Sequence, residues 1–209
     1  MKQLSDQMTR PTPRSNPISI ELRTNSYGGA AAARSYPISI EHVTKEYSGS
    51  AVVEDLSFVA QPGRVTGFLG PNGAGKSTTM KILLGLASAT KGSATIGGIA
   101  YRDLPDPTGT VGASIESDAF HPGRSGRNHL RILADATGTS LERVDEVLDL
   151  VELSHAANRN AGAYSLGMKQ RLGLAAALLC DPPVLVLDEP GNGLDPVSYT
   201  HLRAHETND

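Results

Sequence analysis

The sequence has few of the residues that mark secreted or membrane-embedded proteins. Among its 209 residues there is one cysteine and no tryptophan, and aromatic residues make up only 4%. Cys180 cannot form an intramolecular disulfide, and its neighbours Leu178 and Leu179 are typical of a small buried apolar side chain. The longest nearly apolar stretch, residues 172–180, is far shorter than the roughly 18 residues that predict a membrane span. We therefore expect a protein of the reducing cytoplasm.

Strong charge of either sign is also missing. The chain carries 19 basic and 22 acidic residues, which leaves a formal net charge of −3. An extended basic surface is the usual electrostatic mark of a protein that binds nucleic acid or an anionic membrane. No nucleic-acid partner is therefore expected. The hydrophobic content of 39% is sufficient to bury a core, and the length predicts one compact unit.

Composition divides the chain near residue 36. Residues 1–35 are rich in Pro, Ser, Thr, Asn and Gly, which predicts a disordered N-terminal extension. One pentapeptide in it, PISIE at residues 17–21, recurs at residues 37–41. We interpret the second copy as the first strand of the domain, and the first copy as a local duplication or the product of a start site assigned too early.

From residue 36 onward, strand and helix patterns alternate, as in an α/β domain. Apolar runs predict strands at residues 64–69, 111–115 and 184–187, and the pair Gly97-Gly98 predicts a hairpin turn. Helical periodicity covers residues 76–86, 141–151 and 165–179, with Ser140 or Thr139 as the cap of the second helix.

The strongest motif is GPNGAGKST at residues 70–78, between a predicted strand and a predicted helix. This is the context that a phosphate-binding P-loop requires. Glycines allow the backbone to turn its N–H groups inward, where a helix N-terminus also favours anions. The candidate nucleotide-binding residues in this motif are Gly70, Asn72, Gly73, Gly75, Lys76, Ser77 and Thr78. We expect Lys76 to contact the β- and γ-phosphates of ATP and the Ser77 hydroxyl to bind Mg²⁺.

A second motif, VLVLDEP, begins at Val184 and ends at Pro190. The apolar strand ends in two carboxylates at the edge where open α/β sheets hold ligands. We expect Asp188 to organise Mg²⁺ and Glu189 to act as the general base for the attacking water. A strand that ends in two acidic residues is common without any function, so this assignment depends on the upstream P-loop.

A third motif, YSLGMKQR at residues 164–171, resembles the signature of ABC ATPases. The usual form is Leu-Ser-Gly-Gly-Gln followed by a basic helix; here Leu166 replaces the first Gly and Met168 the Gln. An isolated segment of this kind could equally be a Ser-capped amphipathic helix. Together with the other two motifs, it makes residues 36–196 resemble an ABC ATP-binding cassette. The resemblance implies an α/β P-loop core with an antiparallel β segment and a helical subdomain at about 118–165.

The resemblance implies roles for further residues. Tyr47 occupies the place of the aromatic ring that stacks on adenine, although an ordinary strand-end tyrosine is the alternative. Glu116 takes the place of the Q-loop glutamine that senses γ-phosphate, with a solvated loop acid as the alternative. Asp195 matches the D-loop, which crosses the dimer interface. Ser165 and Gly167 would contact γ-phosphate bound to the other copy. Glu116 and the altered signature resemble the drug- and bacitracin-resistance branch of the exporters.

The function implied is that of the ATP-hydrolysing subunit of an ABC transporter, and the branch that it resembles implies an exporter. Two copies would sandwich two ATP molecules and move a separate membrane permease, which would hold them at the inner face of the cell membrane. Two alternatives remain open: a soluble regulatory or translation-associated ABC ATPase, and an inactive fragment. The family's switch histidine follows the Asp188-Glu189 pair by about thirty residues. The resemblance thus implies that the 209-residue chain ends before the cassette is complete and is itself inactive.

The last part of the chain does not resemble the family. Residues 197–207 read VSYTHLRAHET, which resembles one translated frame of a common transposase sequencing adapter. We therefore expect residues 197–209 to be a non-native tail. His201 and His205 in this tail are not candidates for the switch histidine.

Overall fold

The computed structural model describes residues 18–22, 36–68, 70–71, 73–115 and 120–188. These residues form a mixed α/β structure with two sheets and a helical region. The strands are β1 (Ile18–Leu22), β2 (Ile38–Tyr47), β3 (Ser50–Ala60), β4 (Val65–Phe68), β5 (Lys91–Ile96), β6 (Val111–Ser114) and β7 (Val184–Leu187). The α-helices are α1 (Lys76–Leu83), α2 (Pro107–Thr110), α3 (Gly126–Thr137), α4 (Leu141–Leu150) and α5 (Leu166–Leu178).

The central sheet has the strand order β4-β1-β7-β6. Strands β6 and β7 are parallel, whereas β1 is antiparallel to both of its neighbours, β4 and β7. Strand β4 therefore runs in the same direction as β7. The C-terminal ends of β4, β6 and β7 all lie at one edge of the sheet, which is the edge that carries the candidate site.

Strand β7 shows why this part of the chain is a strand. Its four residues, VLVL, are all buried, as expected for a strand that is covered on both faces. Val184 and Val186 belong to one apolar cluster, which includes residues of β2 and α1. Leu185 and Leu187 belong to a second cluster, formed mainly by the helical region. Because side chains alternate along a strand, β7 joins the two cores.

The second sheet, β3-β2-β5, is antiparallel. Ile38 and Ile40 of β2 are fully buried, whereas Glu41 is exposed. This alternation is typical of a sheet with one covered face. The sheet packs its apolar face on the cluster that contains α1, and β3 lies directly against the start of that helix.

Helices α3, α4 and α5 form the helical region, and each begins after a serine that accepts a hydrogen bond from a backbone N–H in the first turn. Arg143 of α4 donates hydrogen bonds to the carbonyl oxygens of Leu178 and Leu179. These carbonyls end α5, where a helix presents unpaired acceptors and partial negative charge. The contact fastens the end of α5 to α4.

Some elements differ from the sequence-based expectations. Residues 18–22, within the segment expected to be disordered, form β1. Helix α1 ends at Leu83, before the expected residue 86, and Gly85 follows in a left-handed conformation with φ of 68°. The expected hairpin around residues 97–98 is reduced, in the described residues, to one isolated bridge between Ile96 and Ile99, which closes the turn. In the described parts of the chain, no helix is both long and apolar enough to cross a membrane.

Candidate functional site

The candidate site lies at the edge of the central sheet where β4 and β7 end. Ser77, in the first turn of α1, donates a hydrogen bond of 2.7 Å from Oγ to Oδ2 of Asp188. The two residues are 111 positions apart in the chain. Asp188 is held from its own backbone as well, because its N–H donates to the carbonyl oxygen of Ser114 at the end of β6, at 2.9 Å. The fold thus brings the P-loop and the acidic motif into direct contact.

The loop before α1 depends on glycine at two positions. Gly73 and Gly75 have φ angles of 85° and 78°, in the left-handed region that disfavours other residues. At Gly75 a Cβ atom would also lie 2.5 Å from the carbonyl oxygen of Val52 and from Cγ2 of Val53. At Gly73 a Cβ atom would meet nothing within 4 Å. Gly75 therefore allows both the turn and the close approach of β3.

The start of α1 differs from that of every other α-helix in the described residues. Asp106, Ser125, Ser140 and Ser165 each cap a helix by accepting a hydrogen bond from a backbone N–H. Helix α1 begins after Gly75, which has no side chain, and makes no such bond. The first N–H groups of an α-helix have no partner within the helix, so those of α1 face the loop without a side-chain cap. Such an end is suited to an anion.

Lys76 brings a positive charge to the same place. Its side chain is buried, with 6% exposed, and Nζ donates to the carbonyl oxygens of Gly70 at 2.6 Å and Pro71 at 2.9 Å. These bonds close the loop around the ammonium group. An ammonium group has three donors, so a phosphate oxygen could share it or replace one of the carbonyls.

For the remaining candidates that the structure describes, no direct hydrogen bond to Ser77, Lys76 or Asp188 is seen in the described residues. Tyr47, at the end of β2, is 50% exposed, and Nζ of Lys45 lies 4.6 Å from the centroid of its ring. Ser165 caps α5 by accepting from the N–H of Met168 at 3.3 Å. It is exposed, as is the neighbouring Leu166 at 59%, whereas Gly167 is half-buried. Thr78 is half-buried within α1.

Four candidate residues lie outside the described residues: Asn72, Glu116, Glu189 and Asp195. Their predicted roles are not tested by the geometry. Two further residues support the site and were not identified from the sequence. Thr79 donates from Oγ1 to the carbonyl oxygen of Gly75 at 2.9 Å, and Ser114 accepts from Asp188. Thr79 directly follows the P-loop motif, so its position in the sequence could have identified it as part of the site. Ser114 belongs to no motif and could not have been identified in this way.

The site fits a magnesium-bound nucleoside triphosphate in its donor set. The uncapped helix start and Lys76 suit phosphate oxygens. The oxygens of Ser77 and Asp188 are the hard ligands that Mg²⁺ prefers, and they already lie within hydrogen-bond distance of each other. In the described residues there is no group of three or more His, Cys, Asp or Glu side chains able to hold a metal. Mg²⁺ is usually held by only one or two protein oxygens, with phosphate and water oxygens as its other ligands.

Comparisons with known proteins agree with this geometry. Residues 53–192 match the sequence profile of the ABC transporter family. The chain is 43% identical over 156 residues to the uncharacterized ABC transporter ATP-binding protein YhcH of Bacillus subtilis (strain 168), covering 74% of this chain and 51% of YhcH. It is 41% identical over 153 residues to the bacitracin transport ATP-binding protein BcrA of Bacillus licheniformis, covering 72% of this chain and 50% of BcrA.

A solved ATP-binding subunit of an ABC transporter has a similar fold. The two structures align with a TM-score of 0.64 at 27% sequence identity, over 81% of this chain and 72% of that one. The chain spans about half the length of the curated relatives YhcH and BcrA. With its P-loop, its acidic strand end and a family match over residues 53–192, this chain belongs to the ABC transporter family.

Proposed function

We propose that the whole protein is the ATP-binding and ATP-hydrolysing subunit of an ABC exporter. The observation that carries the proposal is the hydrogen bond between Ser77 and Asp188, at the one α-helix start without a side-chain cap among the described residues. A hydroxyl and a carboxylate in contact, beside the buried ammonium group of Lys76 at the start of the same helix, support a phosphate site there.

Phosphate binding is assigned to the P-loop. Backbone N–H groups of residues 72–78, those of Asn72 and Thr78 among them, would donate to phosphate oxygens; Pro71 has no N–H group. Lys76 would exchange its bonds to the carbonyls of Gly70 and Pro71 for charge-assisted bonds to the β- and γ-phosphates. Tyr47 would stack on adenine with its exposed ring, while Lys45 lies over that ring and holds it in place.

Mg²⁺ binding is assigned to Ser77 and Asp188. When bound, the cation neutralises charge on the β- and γ-phosphates and orients them. The Ser77 hydroxyl would turn from the Asp188 carboxylate to present a lone pair to the metal, and Asp188 would accept hydrogen bonds from water in the metal shell. Asp188 is kept in position for this by the bond between its N–H and Ser114.

Hydrolysis is assigned to Glu189, which directly follows Asp188 in the chain. A carboxylate next to the metal-binding aspartate would accept a proton from the water that attacks γ-phosphate. Glu116, two residues after Ser114 in the chain, would sense the γ-phosphate and the metal in place of a glutamine. We therefore expect Glu189 to remove the proton and Glu116 to sense the γ-phosphate and the metal.

A second copy would complete each site. Ser165 and Gly167, at the exposed start of α5, would contact the γ-phosphate that is bound to the P-loop of the other copy. Asp195 would lie at the interface between copies. Closure of the dimer on ATP and its release after hydrolysis would move a membrane permease that holds the protein at the inner face of the cell membrane. The likeness to the bacitracin transport ATP-binding protein BcrA supports the exporter reading.

Calorimetric titration with ATP tests the assignment of the metal ligands. We expect Ser77→Ala and Asp188→Asn each to weaken ATP binding by about tenfold or more with Mg²⁺ present, because the first removes a metal ligand and the second removes the negative charge that holds the water shell of the metal. Neither change should matter in EDTA. Asp135→Asn, a change at an exposed residue of α3, is the matched control. If the two site variants bind ATP like the parent when Mg²⁺ is present, the metal assignment is wrong.

A separate measurement tests hydrolysis. In the whole protein, steady-state phosphate release should be abolished by Glu189→Gln, whereas binding of Mg²⁺ and ATP should remain. Hydrolysis that survives this change would place the general base elsewhere.

A further inference from the structure

Helix α5 lies close against strand β6, and each element has a glycine where the two meet. A Cβ atom at Gly112 of β6 would overlap the carbonyl oxygen of Ala177 in α5, and it would lie 2.8 Å from the carbonyl carbon of that residue. A Cβ atom at Gly173 of α5 would lie 2.6 Å from Oγ of Ser114 in β6. The helix and the strand therefore approach each other at two places where glycine leaves the space.

Local structure does not explain either glycine. Neither Gly112 nor Gly173 has a positive φ angle, so the backbone at both positions is open to other residues. Gly112 lies inside β6 and Gly173 inside α5, and glycine weakens the interior of a strand or a helix. A glycine inside a strand often marks a place where another backbone approaches closely. We therefore attribute both glycines to the contact between the two elements.

The two contacts lie along one face of each element. Gly112 and Ser114 are two residues apart in a strand, so they share a face of β6. Gly173 and Ala177 are four residues apart in a helix, so they share a face of α5. Because Gly112 meets Ala177 and Ser114 meets Gly173, the strand and the helix run in opposite directions. We call these four residues the glycine seat.

The glycine seat adjoins the aspartate that is assigned to the metal. The carbonyl oxygen of Ser114 accepts a hydrogen bond from the N–H of Asp188 at 2.9 Å, and the carboxylate of Asp188 accepts one from Ser77 at 2.7 Å. The turn into β7 takes part as well, because Cγ of Pro182 lies 2.8 Å from the Cβ position of Gly112. A change in the distance between α5 and β6 would therefore displace the end of β6 and, with it, Asp188.

We propose that Gly112 and Gly173 are positioning residues for Mg²⁺ binding, which act by fixing the backbone of Asp188. The proposal rests on the proposed function, in which Ser77 and Asp188 hold the metal and its water shell. Mg²⁺ demands near-ideal octahedral geometry, so its shell tolerates little displacement of a carboxylate. The same helix begins after Ser165, which is assigned to the γ-phosphate of the other copy. The seat thus also sets the position of that contact relative to the metal site.

Calorimetric titration of the full chain with ATP, at low protein concentration and in either Mg²⁺ or EDTA, tests the glycine seat. We expect Gly112→Ala to weaken binding about fivefold or more in Mg²⁺, because a side chain pressed against backbone atoms forces the backbone to shift. Gly173→Ala should weaken it about twofold to threefold, because the hydroxyl of Ser114 is free to turn aside. Both variants should bind ATP in EDTA as tightly as the parent does.

A compensating change tests whether the close contact itself is responsible. In the double variant of Gly173→Ala with Ser114→Ala, the two Cβ atoms would lie 3.7 Å apart, which is ordinary van der Waals contact. The double variant should therefore bind ATP in Mg²⁺ like Ser114→Ala alone. This comparison decides the question even if Gly112→Ala does not fold.

Gly126→Ala is the matched control for a general loss of stability. Its Cβ atom would lie 2.5 Å from the hydroxyl oxygen of Tyr164, so the change produces a similar clash in the helical region. We expect it to lower the thermal midpoint and to leave the affinity for ATP in Mg²⁺ as it is. An equal loss of affinity in Gly126→Ala, or a double variant as weak as Gly173→Ala, would overturn the proposal.

Ser77→Ala distinguishes a failure of this proposal from a failure of the proposed function. If Ser77→Ala weakens binding in Mg²⁺ and the two glycine variants do not, the seat does not position Asp188, whereas the metal assignment stands. If Ser77→Ala also binds like the parent, the metal assignment is wrong and the proposal falls with it.

Discussion

Helices α1 and α5 begin in opposite ways, although both are predicted to meet phosphate. Helix α5 begins after Ser165, whose hydroxyl accepts from the N–H of Met168, so part of its first turn is satisfied by the protein itself. Helix α1 begins after Gly75 in a left-handed conformation and has no side-chain cap. Its neighbour Lys76 is bonded to backbone carbonyls of the loop.

This difference indicates which helix start depends on a ligand. The capped start of α5 is stable with the protein's own groups, and a contact with phosphate would be added to it. The start of α1 leaves N–H groups without a side-chain acceptor next to a buried cation, an arrangement that favours an anion. We therefore expect changes at α1 to affect nucleotide binding and folding together, and changes at α5 to separate stability from hydrolysis.

The largest effect is expected at Gly75. Gly75→Ala combines left-handed strain with contacts of 2.5 Å to Val52 and Val53, so we expect a loss of about 2–5 kcal/mol in the free energy of unfolding. Gly73→Ala, with similar φ but open space, should cost only about 1–2 kcal/mol. Urea denaturation of both variants measures the difference. Equal losses would show that strand β3 does not restrict the start of α1.

Lys76→Ala should have the next largest effect. It removes the cation from the phosphate site, and charge-assisted hydrogen bonds of this kind contribute about 2–4 kcal/mol to binding. Calorimetric titration with ATP should therefore show a loss of affinity of about thirtyfold or more, because about 2 kcal/mol corresponds to roughly thirtyfold in Kd. Lys91→Ala, at an exposed lysine of β5, is the control. Equal affinity for ATP in the Lys76 variant and the parent would contradict the assignment of the P-loop.

Ser165→Ala tests the other side of the comparison. Loss of the cap should lower stability by about 1 kcal/mol, and Ser140→Ala, which removes the same kind of cap from α4, should cost a similar amount. Only Ser165→Ala should reduce phosphate release and ATP-dependent association of two copies, while ATP affinity at low protein concentration is unchanged. If both serine variants affect hydrolysis alike, Ser165 serves only as a cap.

The smallest expected effect is on the pH dependence of stability, through His129 in the helical region. Burial, and then the charge of Arg124, lower the pKa of His129 below its ordinary value of 6.5. The unfolded chain therefore takes up this proton first as the pH falls below about 6.5, and the folded state loses stability from there down through the lowered pKa. His129→Gln should remove part of the fall in thermal midpoint between pH 7.5 and 5.5.

The matched change His155→Gln, at an exposed histidine, should leave the pH profile of the midpoint as it is. ATP affinity should be the same in both histidine variants at neutral pH, because neither residue contacts the P-loop motif in the described part of the chain. An unchanged profile in the His129 variant would show that this histidine does not link folding to protons.

Much of the local structure was predictable because its causes are local. The apolar run VLVL predicted β7, Ser140 or Thr139 predicted the start of α4, and Ser165 predicted the start of α5. The structure confirms all three elements, with Ser140 as the cap of α4. The P-loop was predicted from its glycines, and the left-handed angles at Gly73 and Gly75 confirm the turn. The roles of Asn72, Glu116, Glu189 and Asp195 stay predictions. Ser114 could not be predicted as a support of the site, because its partner Asp188 lies on another strand.

By itself, the sequence determined the elements whose stability comes from neighbouring residues: helix caps, glycine turns and the periodicity of strands and helices. It also determined the family, because the three motifs occur in order. Only the tertiary structure decided which distant residues meet, as with Ser77 and Asp188. It also decided which sheet each of the two PISIE copies joins: the ISIE residues of the first copy start β1 in the central sheet, and those of the second start β2 in the antiparallel sheet. Identical residues have identical local preferences. The two copies therefore pair differently because different strands lie next to each of them in the folded chain.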